Sequence, residues 1–235
     1  MAATYTPNDA FNYCKTMVKS MPLDDVKVQI LDDAAKMLWH AAPWRWTVAA
    51  FPDVTVLANT ADYTVSIPSN YLRLQEAYIV DEGHDGTPRV LEITPAMSAG
   101  VIKGQPSEVS VSGTAGGSGT LSLYPVQGAI GTGSILKVIS TYKKVCPTIA
   151  SGNVATAGYL VMDDDWFWVY NSCVLYHAYL YADDQRAGSA TFNSAGQWQF
   201  TGQRAVAEAN IALMKDREAL PDETGARIMK EPKQK

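Results

Sequence analysis

The stretch DDDWFWVYNSCVLYHAYLYADDQRAG, residues 163–188, decides how this chain is read. Acids stand at both ends of a dense band of aromatics. It is too short and too polar to span a bilayer, and too aromatic for an ordinary surface helix. Asp163 or Asp164 can cap it, and the other acids suit its first turn. Trp166, Val169, Tyr170, Cys173, Val174, His177, Leu180 and Tyr181 fall on one helical face, with Phe167, Leu175 and Ala178 opposite. A helix apolar nearly all round must be covered on more than one side.

Helical patterns also occupy the N-terminal side. In TPNDAFNYCKTMVKS, residues 6–20, Thr6 is the candidate N-cap and Pro7 takes the first helical position, where its missing N–H costs nothing. In MPLDDVKVQILDDAAKMLWHAAPW, residues 21–44, Pro22 suits a first turn, and Asp24 and Asp25 sit near the positive end of the dipole. Val26, Ile30, Leu31, Ala34, Met37, Leu38 and Ala41 make its apolar face, and Pro43 stops it. A last helix is expected from about Ser194 to Ala219, around the Ala-rich RAVAEANIALMKDREAL, with Pro221 ending it.

Between Trp44 and Cys146 the period changes. WRWTVAAF, DVTVLA, DYTVSI, YLRLQEAYIVD, RVLEIT, SEVSVS, GTLSLYP and SILKVISTYKKV are short, β-branched or aromatic, and separated by Pro, Gly, Asn and Ser. SGTAGGSGT, residues 112–120, reads as a hairpin tip or exposed loop. The expected class is α+β: a helical bundle from the N- and C-terminal helices, an inserted antiparallel β barrel or sandwich, and an extended C-terminal tail. The expected segments are 1–43 and 148–220 for the bundle, 44–147 for the β-rich domain and 221–235 for the tail.

The chain has 235 residues, ample for a core, with 47% hydrophobic and 18% charged residues. A net charge of -5 argues against wide coverage of a nucleic-acid backbone. The N-terminus MAATYTPNDAFNYCK lacks a basic start followed by an apolar run, and nowhere is there a run of about 18 apolar residues. A soluble product made in the cytoplasm is expected, with no membrane partner. Cys14, Cys146 and Cys173 read as free, half-buried thiols.

No catalytic residue, metal site or cofactor is expected. The pairs Asp24–Asp25, Asp32–Asp33, Asp163–Asp165 and Asp183–Asp184 invite a general acid/base reading, but adjacent acids on a helix diverge by about 100°. Dipole pairing and solvated faces explain them. Asp183 or Asp184 can pair with Arg186, or with an arginine of a neighbouring subunit. His40, His84 and His177 lie on different elements without zinc spacing, and His177 reads as a hydrogen-bonded histidine on a packed face. His84, in DEGHDGTP, suits an exposed hairpin turn. GAIGTGSIL and GTAGGSGT match no phosphate cradle. Trp44 and Trp46 read as a core strand with Arg45 on the opposite face.

Three stretches together resemble the head-to-tail adaptor (connector, or neck) proteins of tailed bacteriophages, especially the tail tubular protein A-like group of short-tailed phages. ILDDAAKMLWHAAPWRWTV is similar to that family's helix running into a Trp-containing strand. ADYTVSIPSNYLRLQEAYI resembles its strand, turn and following strand, and WFWVYNSCVLYHAYLYADDQRAG its aromatic penultimate helix. The resemblance implies a structural virion protein of the neck, not an enzyme. Such a protein forms a ring, usually a dodecamer, between the portal protein and the tail tube or nozzle proteins, and double-stranded DNA passes through it. It implies Trp166, Phe167, Trp168, Tyr170, Tyr179, Tyr181, Asp183, Asp184 and Arg186 as subunit-interface candidates. It also implies Arg227, Ile228, Met229, Lys230, Lys233 and Lys235 as portal-docking candidates in the tail, against the plainer reading of a solubilising terminus. Two alternatives stay open. One is a virion-associated cell-wall hydrolase, which needs two carboxylates about 5–9 Å apart. The other is a carbohydrate- or host-binding tail module using Trp44, Trp46 and Tyr63.

Overall fold

The computed structural model describes residues 4–18, 23–84, 87–95, 102–160 and 162–218. The chain divides into two compact units: both ends, up to Trp46 and from Cys146, build one, and Thr47–Val145 the other.

The helical unit contains α1 (Pro7–Met17), α2 (Lys27–Ala41), α3 (Phe167–Tyr181) and α4 (Gly202–Glu218). Thr6 caps α1 as its sequence position implied. Its hydroxyl accepts from the Asp9 amide at 3.2 Å, and the Asp9 carboxylate accepts from the Thr6 amide at 2.9 Å. A 3-10 turn over Leu23–Val26 precedes α2, so Asp24 and Asp25 belong to that turn and not to the first turn of α2. Asp24 instead meets Lys15 at 2.7 Å. Pro22 lies outside the described residues.

Helix α3 answers the question posed by its composition. It packs on α1, α2 and α4 of its own chain, so burial runs around most of its circumference. The expected face is corrected in detail. Phe167, Tyr176, Ala178 and Tyr179 are buried, while Leu180 and Tyr181 are exposed. The Tyr170 hydroxyl donates to the Leu31 carbonyl at 3.0 Å, tying α3 to α2 inside the core.

Trp44 and Trp46 are not in a strand. The chain makes a 3-10 turn over Arg45–Thr47, and both indoles stay with the helical unit, parallel at 6.2 Å. The Trp44 N–H donates to the Leu38 carbonyl at 2.6 Å, satisfying one acceptor that the end of α2 leaves open.

The last helix also departs from expectation. It begins at Gly202, and residues read as its first turns form a hairpin, β11 (Ala190–Phe192) and β12 (Trp198–Phe200). Gly196 and Gly202 adopt positive φ, which closes the hairpin loop and turns the chain into α4.

The second unit holds β1 (Val48–Thr55), β2 (Asp62–Ser66), β3 (Tyr71–Asp81), β4 (Arg89–Val90), β5 (Glu92–Ile93), β6 (Lys103–Gly104), β7 (Glu108–Gly113), β8 (Ser118–Tyr124), β9 (Val126–Gln127) and β10 (Leu136–Lys144). WRWTVAAF and DVTVLA do not make two strands: β1 passes through both with a register shift at Pro52–Asp53, where proline interrupts the ladder. The expected antiparallel barrel or sandwich is overturned. The strands order as β1-β10-β3-β4 and β2-β8-β7-β5 with a separate β6-β9 pair, and no sheet closes into a barrel or sandwich. Two pairings, β5–β7 and β6–β9, are parallel. RVLEIT was the misleading segment. It splits at buried Leu91, so β4 joins β3 while β5 joins β7 in the other sheet. The result is a mixed α+β fold. The SGTAGGSGT stretch does form the tip of the β7–β8 hairpin.

Candidate functional site

The folded chain brings together one constellation that sequence reading missed. Asp81, His84 and Ser134 meet where the turn after β3 touches the loop before β10. Asp81 Oδ2 lies 3.4 Å from His84 Nδ1, and Ser134 Oγ lies 3.2 Å from the same nitrogen. A nucleophile relay needs the acid on one ring nitrogen and the hydroxyl on the other. Here both crowd Nδ1, so the ring cannot pass a proton from Ser134 towards Asp81. The group works as a loop lock instead. Asp81 Oδ1 accepts from the Gly83 amide at 3.0 Å and the Ile135 amide at 2.9 Å. Desolvation disfavours the Asp81 anion, but hydrogen bonds from Ser134, Ile135 and Gly83 and the nearby His84 outweigh it and lower its pKa.

The acid pairs are accounted for one by one. Asp32 accepts from the Ile149 amide at 2.8 Å and pairs with Lys36 at 2.6 Å. Asp33 accepts from the Tyr181 hydroxyl at 2.8 Å. Asp163 precedes a 3-10 turn over Asp164–Trp166 without capping it through its side chain. Asp164 is held by Thr4, whose hydroxyl donates at 2.7 Å and whose amide donates at 2.9 Å; these bonds lower its pKa. Among the described residues no group of three His, Cys, Asp or Glu could hold a metal ion.

His177 corrects its sequence reading. Neither ring nitrogen has a hydrogen-bond partner, although both are buried. Desolvation lowers its pKa, with Arg204 adding to that and Asp33 opposing it. The three cysteines are free. Burial pushes Cys14 and Cys173 up to about 12 and Cys146 up to about 11, so none is a ready thiolate near neutral pH.

The aromatic interface candidates divide sharply. Tyr170 is wholly buried, and Phe167 and Tyr179 nearly so, inside their own chain. Phe167 stacks on Tyr5 at 4.3 Å, and Trp166 is half-buried with the Arg217 guanidinium 6.0 Å from its ring. Trp168 and Tyr181 are exposed, as are Asp183 and Arg186. Arg186 pairs with Asp184 at 2.6 Å and lies over the Tyr179 ring at 4.4 Å, so the acidic turn is paired within the chain. The tail candidates Arg227, Ile228, Met229, Lys230, Lys233 and Lys235 lie outside the described residues.

The most exposed aromatic surface of the helical unit is one that the sequence reading assigned to a helix. Phe192 and Trp198 are cross-strand partners in β11–β12, at 61% and 62% exposure. Their rings meet edge to face, 5.2 Å apart at 66°. The ribbon is firmly seated. The Ser189 amide donates to Thr201 Oγ1 at 2.9 Å, and the Thr201 amide to the Ser189 carbonyl at 3.0 Å. At its tip, Asn193 Oδ1 accepts from the Ala195 and Gln197 amides at 3.0 and 2.9 Å. At its base, Gly188 and Gly202 both have positive φ, and a Cβ on Gly188 would lie 1.9 Å from the Thr201 oxygen. A signal was present in the sequence. Residues 187–203 contain no Asp, Glu, Lys, Arg or His, and ATF and WQF flank a turn-forming NSAG.

No helix among the described residues is long and apolar enough to cross a membrane. No family model matches the chain, and no curated protein is significantly similar to it in sequence.

Proposed function

We propose that this protein is a ring-forming structural adaptor of a bacteriophage virion, joining the portal protein to the tail and continuing the channel for double-stranded DNA. The observation that carries the reading is the arrangement of the chain. Its two ends build a helical unit around an aromatic penultimate helix, and a β-rich unit is inserted between them. That is the layout of the adaptor family whose motifs the sequence resembles. Three further features support it. Aromatic side chains remain exposed on the helical unit after its own core is complete. The net charge of -5 suits a conduit through which phosphates slide without tight contacts. The polar tail, with Ile228 and Met229 among its cations, is suited to docking on an acidic portal surface.

The test is particle mass and negative-stain imaging of the purified chain, alone and with the portal protein of its phage. Rings, formed alone or only with portal, are expected. Truncation before Pro221 should weaken portal binding. A stable monomer indifferent to portal would sink the proposal.

A further inference from the structure

We infer that the Phe192/Trp198 ribbon is a self-docking element, and that it inserts against the exposed Tyr13/Met17 face of α1 in a second copy of this chain. The inference deepens the ring reading by naming its contact.

The chemistry of the ribbon narrows the occupant. Residues 187–203 are without charge in a chain whose charged fraction is 18%, so the complementary surface is uncharged too. The cations at its two ends are already engaged. Arg186 is held by Asp184, and Arg204 lies over Phe200 and Tyr176, at 5.0 and 5.6 Å from the ring centres. Neither is free to meet phosphate, which disfavours nucleic acid and anionic lipid. The two rings stand at 66° and form a wedge, not a flat platform for a sugar face. The loop amide Asn193 spends its oxygen on its own backbone. An aromatic wedge on a two-stranded ribbon suits an apolar protein surface.

That surface exists on the same unit. Tyr13 and Met17 are one helical turn apart on α1, at 44% and 46% exposure, with exposed Thr16 and Asn12 beside them. Helix α1 and the ribbon-bearing α4 both pack on α3. One unit thus carries a wedge and a different, uncharged apolar face. Two unlike patches on one molecule make a head-to-tail contact, which propagates or closes into a ring.

The experiment uses the full chain in analytical ultracentrifugation and needs no portal or DNA. Phe192→Ser/Trp198→Ser removes the wedge, and Tyr13→Ser/Met17→Ser removes the receiving face. All four residues are exposed, so melting temperatures should stay close to wild type. A third variant, Gln199→Glu, keeps both rings and places a charge on the ribbon. The wild type should self-associate with little dependence on salt, and each variant should associate roughly tenfold more weakly or not at all. Mixing the wedge variant with the face variant should give a one-to-one heterodimer and nothing larger, since only one competent contact remains. A wild type that stays monomeric at every concentration reached overturns the inference. So do variants that assemble like wild type, or a mixture that forms no heterodimer. Assembly that survives all three variants would refute this contact while leaving the ring reading standing.

Discussion

Gly188 and Gly202 face each other at the base of the aromatic ribbon, with the Gly188 Cα 2.7 Å from where a Gly202 Cβ would sit. Their φ angles are +83° and +59°. No other residue type allows the chain to leave the short turn after α3, run out as a hairpin and enter α4 within this space.

Gly188→Ala should therefore cost about 2–4 kcal/mol, combining a disfavoured φ with a backbone clash. Gly196→Ala, at the open tip where φ is +76° but no atom lies within 4 Å, should cost only about 1 kcal/mol. Urea unfolding of the two variants checks the ranking. Equal losses would mean that crowding at the base is not what seats the ribbon.

Tyr170 and Tyr181 provide a second comparison on one helix. The Tyr170 hydroxyl is buried and donates to Leu31; Tyr181 is exposed and donates to Asp33. Tyr170→Phe should lose about 1 kcal/mol, and Tyr181→Phe less than about 0.5 kcal/mol. Denaturant midpoints at constant m measure both.

His177 makes stability depend on pH in a defined sense. Its folded pKa lies below the ordinary value of 6.5, chiefly through desolvation. As pH falls through 6.5 the unfolded chain takes up a proton that the folded chain refuses, so stability drops in the window between 6.5 and the lower folded pKa. Above 6.5 its contribution is complete. The groups facing it, Asp33 on α2 and Arg204 on α4, oppose one another. His177→Leu should be within about 1 kcal/mol of wild type near pH 7.5, because no hydrogen bond is lost. The gap should then move in favour of the variant towards pH 5.5. Urea titrations at four pH values test this, and parallel curves would count against it.

The cysteines should react in order of access. Cys146 is part-exposed with a pKa near 11, while Cys14 and Cys173 are buried with values near 12. Intact-mass measurement after mild alkylation at pH 8 should show Cys146 modified slowly and first. The other two should follow only in denaturant. Early modification of Cys173 would contradict its placement between α3 and its neighbours.

Legibility followed contact range. The Thr6 cap, Pro7 at the helix start, the stop at Pro43 and the β7–β8 tip are settled by residues a few positions apart, and each was readable. The aromatic ribbon was missed because Ala-rich periodicity after Gly202 was extended backwards across NSAG. Trp44 and Trp46 were read as strand because aromatics favour strands. Their true environment is set by Leu38 and Trp39, residues of the preceding helix. The Asp81–His84–Ser134 cluster joins positions 50 residues apart, and nothing local announces it.

By itself the sequence determined the helical ends, the β-rich middle, the burial of residues 167–179 and the lack of a familiar catalytic motif, because periodicity, caps and breakers act within a turn or two. Only the tertiary structure decided that α3 is covered by three helices of its own chain. It alone decided that Leu91 sends one segment into two open sheets, and that Phe192 and Trp198 stay exposed in place of the aromatics of α3. Those outcomes depend on which distant segments meet, and propensity carries no information about partners far away in the chain.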